Sequence, residues 1–206
     1  MTRTTLQRIA LFGGPLGYIA LGLVHPSPDP TVGDEAGFFI ALHLVQPALI
    51  ALMGYALWTL VDGLPGLAAK VARVAIVPYV LAYTMFDSVI GIAKGVIVSE
   101  SSSLSAADQA VVKGALEGDH WVGYALYLSA GLSWLVAVTA VAIAVHRIAP
   151  LRVSLLLGIG GLIFALTHVF PPGPIGMTLF LAGVALLELG ERPRREAVDA
   201  VPVLQP

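Results

Sequence analysis

The chain has 206 residues, of which 57% are hydrophobic and only 12% charged, and a formal net charge of −2; its mean hydropathy is +0.88. That composition excludes an ordinary soluble domain, in which about a quarter of the residues are charged. With no cysteine the chain has no disulfide, thiol nucleophile or iron–sulfur ligand, and without a basic patch beyond short charged ends nothing supports nucleic-acid binding.

Apolar windows able to cross a ~30 Å hydrocarbon core recur along the chain. We read six, at residues 9–24, 38–60, 74–98, 121–145, 153–170 and 175–190. A segment in lipid must satisfy its own backbone, so these are expected to be helices. The expected fold is therefore an all-α, polytopic six-helix bundle over residues 1–190, with an outer loop at 99–119 and a disordered tail at 191–206.

In the first window, Arg3 and Arg8 precede an apolar run ending in Ala20-Leu21-Gly22, a loose imitation of a cleavable signal peptide. Gly13-xxx-Gly17 suits helix packing instead, and losing this segment would break the alternation of the others. His25 stands at its exit, 17 residues beyond Arg8 or ~25 Å of helix rise.

The second window carries His43 and Gln46 at i and i+3, on one face. Pro47 cannot donate to the His43 carbonyl, which opens an acceptor at that level. Counted from Asp62, Gln46 and His43 lie at ~24 and ~28 Å.

Asp87 and Lys94 are the only ionisable residues of the third window apart from Tyr79 and Tyr83. An acid at bilayer depth costs roughly 2.5–3.5 kcal/mol on insertion scales unless it faces protein or water, so Asp87 marks a functional site by default. It stands ~21 Å beyond Arg73. Tyr83, Asp87, Gly91 and Lys94 share a face, and Gly91 with Gly95 lets another helix approach it. Lys94 can also snorkel outward.

Beyond the third window, Ser105-Ala106-Ala107-Asp108 resembles a capping box that starts a short helix through Leu116. Ala107, Val111 and Ala115 would share its apolar face, as in an interfacial helix, a lid or a solvated connector. Trp121 and Tyr124 open the fourth window as an aromatic belt. His120 and His146 read as boundary residues. In the fifth window His168 lies ~24 Å beyond Arg152. Pro171-Pro172-Gly173-Pro174 then forces a tight turn into the sixth window. Ser133 and Thr178, at ~21 Å, are expected to bond their own helix backbones, like Ser129 and Thr167.

Basic residues set the orientation. With the N-terminus inside, Arg3, Arg8, Lys70, Arg73, Arg147, Arg152, Arg192, Arg194 and Arg195 all fall on the cytoplasmic side, against Lys113 alone outside. The positive-inside rule thus gives N-in, C-in, in the plasma membrane. The outer loops carry Asp29, Asp34, Glu35, Glu100, Asp108, Glu117 and Asp119, which would concentrate cations there.

Every helix thus contributes a polar group to the outer half, and Asp87, His43, Gln46, His168, His25, Tyr83 and Lys94 are the candidate ligand-binding residues. The leading expectation is a site that binds or transports a small solute or cation, with Asp87 holding positive charge or carrying a proton. Small six-helix N-in, C-in proteins of this layout resemble the substrate-capture subunits of vitamin importers; the resemblance is architectural and carries over no residues.

A second expectation is a membrane-embedded enzyme acting on a lipid or isoprenoid, with Asp87 and His43 catalytic by acid chemistry. Metal catalysis is its other form, with zinc on His43, His168 and His25. No HExxH or Gly-x-Ser-x-Gly motif supports it. A b-type haem between His43 and His168 ranks third. The glycine-rich faces Gly13/Gly17, Gly91/Gly95 and Gly158/Gly160/Gly161 suit internal packing or a homo-oligomer equally.

Overall fold

A computed structural model describes residues 3–26, 33–117 and 121–190, of which 86% are helical and none forms a strand. The tail at 191–206, Asp29, Asp119 and His120 lie outside the described residues. Helix α1 spans Thr5–Val24, α2 Gly33–Val61, α3 Leu67–Ser101 and α4 Ala106–Glu117. Then come α5 at Trp121–His146, α6 at Leu151–Leu166 and α7 at Pro172–Glu188. Four of them, α1, α2, α3 and α5, are long and apolar enough to cross a membrane. The apolar helices α6 and α7 are shorter, with 16 and 17 residues, or about 24–26 Å of rise.

Local chemistry sets the ends. Thr4 and Gln7 close a reciprocal capping box on α1, which satisfies two donors that a helix start leaves without partners. Gly66 enters α3 at φ 97°, a conformation open to glycine at no steric cost. On α4, Ser105 donates to the Asp108 carboxylate at 2.7 Å and accepts from the Asp108 amide at 3.3 Å. The short helix expected there is present, and its Val111 is 72% exposed.

The six longer apolar helices form a closed ring in the order α1, α2, α3, α5, α6, α7 and back to α1. Small residues let the walls close. A Cβ on Gly160 would stand 2.5 Å from the Phe180 amide nitrogen, so α6 and α7 meet backbone to backbone. Gly91 and Gly95 of α3 lie on His43, Ile40 and Phe39 of α2, and Gly13 and Gly17 of α1 lie on Leu52 and Leu49 of the same helix. These glycine faces are occupied within the monomer. The first segment is accordingly a packed wall of the ring, with Gly14, Pro15, Tyr18, Leu21 and Gly22 buried.

One end of the ring is basic and tied. Arg3 pairs with Glu188 of α7 at 2.6 Å and donates to the Thr59 carbonyl of α2 at 2.8 Å. Arg73 donates to the carbonyls of Val61 and Leu64 at 2.6 and 3.0 Å. Arginines expected only to mark a boundary thus also satisfy the carbonyls where α2 ends, where positive charge is favoured. Midway up, an aromatic layer joins four helices: Tyr18–Phe164, Phe164–Trp134 and Trp134–Tyr79 have ring centroids 4.9, 5.2 and 5.0 Å apart. Trp134 Nε1 donates to the Gly161 carbonyl at 2.8 Å.

The fifth helix departs from expectation. It was expected to run to residue 170 but stops at Leu166, where Thr167 is extended (φ −172°, ψ 149°). The Thr167 hydroxyl takes the Val169 amide at 3.1 Å, and a cis Phe170–Pro171 bond leads into α7. A β-branched residue that can bond a nearby amide competes with the helix, and the proline run beyond prevents its resumption.

Candidate functional site

At the end of the ring opposite Arg3, polar groups from four strands of chain meet: His25 after α1, His43 and Gln46 on α2, Tyr83 and Asp87 on α3, and His168 after α6. Asp87, His43 and Gln46 are 2%, 5% and 1% exposed. Burial of that kind requires partners for each polar atom.

The partners are unevenly supplied. His43 Nδ1 donates to the Phe39 carbonyl one turn back at 2.8 Å. A carbonyl only accepts, so Nδ1 carries a proton and Nε2 faces the other way. That nitrogen lies 3.7 Å from Asp87 Oδ1, beyond hydrogen-bond reach. His25 repeats the pattern, with Nδ1 donating to the Pro26 carbonyl at 2.7 Å. His168 Nδ1 meets the Tyr83 hydroxyl at 3.2 Å. Among the described residues, His25 Nε2, His168 Nε2, Asp87 Oδ2 and Gln46 Oε1 are buried without a hydrogen-bond partner.

The rings pack against one another. The His25 centroid stands 5.3 Å from that of His43 and 5.0 Å from that of His168. Phe39 lies 4.0 Å from His43, and the Gln46 amide stands beside the Tyr83 hydroxyl. Burial holds the His25 imidazole below its ordinary pKa, against the opposing pull of its bond to the Pro26 carbonyl.

Glycines pack against the His43 ring and against the His168 backbone. A Cβ on Gly91 would overlap the His43 ring. A Cβ on Gly22 would stand 2.5 Å from the His168 carbonyl oxygen, and one on Gly173 would overlap that same carbonyl. The Phe170 amide donates to the Gly22 carbonyl at 3.1 Å. The residues around His168 are thereby sewn to the last turn of α1, three residues before His25.

Of the residues singled out in the sequence, His25, His43, Gln46, Tyr83, Asp87 and His168 come together. Lys94 is half-buried and follows a π-helical turn over Asp87–Ala93. That turn interrupts the simple i, i+4, i+8, i+11 face, and such turns recur at functional sites. His146 is exposed at the opposite, basic end. Ser88 and Thr178 bond carbonyls of their own helices, at 2.8 and 2.7 Å. Phe39 was missed, although its place four residues before His43 is a readable signal.

The arrangement can hold positive charge: it offers one carboxylate and several lone pairs turned away from their backbone partners. As placed, no three His, Asp or Glu side chains among the described residues are grouped to hold one metal ion. No family model, curated protein or solved structure matches the chain.

Proposed function

We propose that the chain is a six-span plasma-membrane protein, with both termini cytoplasmic, whose acid–imidazole cluster in the outer half binds a small cation for storage or passage. The two short helices α6 and α7 span with slight local thinning of the bilayer. The ring closure that α6 and α7 complete supports counting them with the four longer helices. Basic residues gathered at the Arg3 end support the orientation.

A single observation carries the functional reading: Asp87 is 2% exposed, 3.7 Å from His43 Nε2, and its second oxygen has no hydrogen-bond partner among the described residues. A carboxylate so placed needs a proton or a cation to be stable. Asp87 is the group that exchanges one for the other, and the histidines orient or relay. The readings as a lipid- or isoprenoid-directed enzyme and as a b-type haem protein use the same side chains, and no separate observation favours either.

The test is calorimetric titration of the purified protein and its Asp87→Asn variant with sodium, magnesium and zinc. Binding of one of these by the parent, lost at least a hundredfold in a variant of unchanged folded yield, is expected. Loss of folded protein in Asp87→Asn would make Asp87 a packing element instead.

A further inference from the structure

We infer that the ion held at this cluster is a proton, carried on Asp87 beside His43 and exchanged through His25 with the cluster end of the ring, a reading that rests on the cation site proposed above and names its occupant.

The cluster is short of hydrogen-bond donors. His43 Nδ1 spends its proton on the Phe39 carbonyl, so Nε2 of the neutral ring is an acceptor. It faces Asp87 Oδ1 at 3.7 Å, and an ionised carboxylate is an acceptor too. Two acceptors turned toward each other have nothing to share. One proton on Asp87 makes it a donor facing that nitrogen and leaves no charge to be buried. The same proton on His43 would make a buried ion pair whose second carboxylate oxygen has no partner among the described residues, the costly form of such a pair.

Room is equally short. The Phe39 and His25 rings stand 4.0 and 5.3 Å from that of His43, and Gly91 lies against it. No three His, Asp or Glu side chains among the described residues are grouped to hold a metal ion. A proton is the cation that these side chains accept as they stand, with no ring turned and no helix moved.

Groups able to pass a proton are contiguous from the rim to Asp87. His25 is half-buried just past the last turn of α1, and its ring stands between those of His43 and His168, at 5.3 and 5.0 Å. Imidazole takes up and releases protons near neutral pH, which suits it to a shuttle. Inward, Tyr79, Tyr83 and Asp87 follow at i, i+4 and i+8 on one face of α3. The Tyr79 and Tyr18 hydroxyls stand side by side and are buried. The polar column ends there. Toward the basic end come Leu11, Met53, Leu57 and Phe180, all fully buried and apolar, so exchange runs to the cluster end.

The titratable groups facing Asp87 and His43 are therefore His25, His168, Tyr83 and Tyr18. The nearest on α5 is Tyr127, across Phe86. Within α7 the sole one is Glu188, at the basic end. Glu35 is exposed near the start of α2, and Lys94 lies two turns farther along α3.

The experiment uses the full chain in lipid nanodiscs and follows the infrared absorption of Asp87 as the medium is taken from alkaline to acid. The carbonyl band of a protonated acid is expected to appear. It should be absent in Asp87→Asn and displaced in Asp87→Glu, so the assignment does not hang on one variant folding. After rapid acidification the band should rise at least tenfold more slowly in His25→Ala than in the parent or in His146→Ala. A band that persists at every pH, or a rise indifferent to His25→Ala, would overturn the exchange route. Asp87 ionised throughout would overturn the proton assignment. If sodium or magnesium then binds in an Asp87-dependent way, the cation reading survives alone; if neither binds, both fall.

Discussion

Gly91→Ala places one methyl group where the structure has no room, and its consequence can be worked out. The added Cβ would overlap the His43 ring and stand 2.9 Å from the His43 Cβ. That ring cannot swing away cheaply. Its Nδ1 is tied to the Phe39 carbonyl at 2.8 Å, and Phe39 and His25 flank it at centroid distances of 4.0 and 5.3 Å. Overpacking of this kind costs about 1–3 kcal/mol, offset by up to ~1 kcal/mol of improved helix propensity. A net destabilisation of about 1–2 kcal/mol is expected, taken up by separation of α2 from α3 and displacement of His43. The matched control is Gly131→Ala on α5, where a Cβ would meet nothing within 4 Å. Thermal unfolding in nanodiscs and cation titration of both variants give the comparison. Gly91→Ala should unfold several degrees lower than Gly131→Ala and bind at least tenfold more weakly. Equal stability and equal binding in the two would refute the close approach of α2 and α3 that positions His43.

Tyr83→Phe removes the hydroxyl 3.2 Å from His168 Nδ1; cation affinity should fall about tenfold through loss of one hydrogen bond worth roughly 1–1.5 kcal/mol, with little change in unfolding temperature. Glu188→Gln breaks the part-buried pair with Arg3 at 2.6 Å and should cost about 1–2 kcal/mol in unfolding measurements, since a charged hydrogen bond is lost, while titration finds cation binding unchanged. His146→Ala, at an exposed position of the basic end, should be silent in both assays.

How much of the fold and of the candidate site is legible in the sequence differs by residue. The helices were readable because a bilayer leaves the backbone no alternative, so an apolar run of sufficient length carries its own structure. Asp87 was readable for the related reason that an acid in such a run is costly. His43 with Gln46, and Tyr83 with Asp87, followed from helical spacing alone. The depth count from boundary arginines placed His25 and His168 at similar heights, and in the structure their ring centroids stand 5.0 Å apart, although both lie just past a helix end. One or two residues of extended chain add little to the fourteen or sixteen of helix before them.

What stayed hidden depends on contacts between segments far apart in sequence. Nothing local to Gly22 announces that it faces the His168 carbonyl, and Gly173 reads simply as part of a proline-rich turn. The π-helical turn at Asp87–Ala93 has no marker in composition, yet it alters the face on which Lys94 was expected. The tie of Arg3 and Arg73 to the end of α2 was masked by a simpler role for the same residues as topology determinants. The aromatic layer of Tyr18, Tyr79, Trp134 and Phe164 is spread over four helices and invisible in any one.

The proposed outer-half cation site requires the cluster end of the ring to face the outside of the membrane. The absence of native cysteine makes that directly measurable with single-cysteine variants and a membrane-impermeant maleimide on intact cells. Ser103→Cys marks the exposed connection between α3 and α4 at the cluster end, and His146→Cys the exposed basic end. Labelling of Ser103→Cys in intact cells, and of His146→Cys only after permeabilisation, is the expected result. The reverse pattern, or labelling of both from outside, would contradict an outward-facing site.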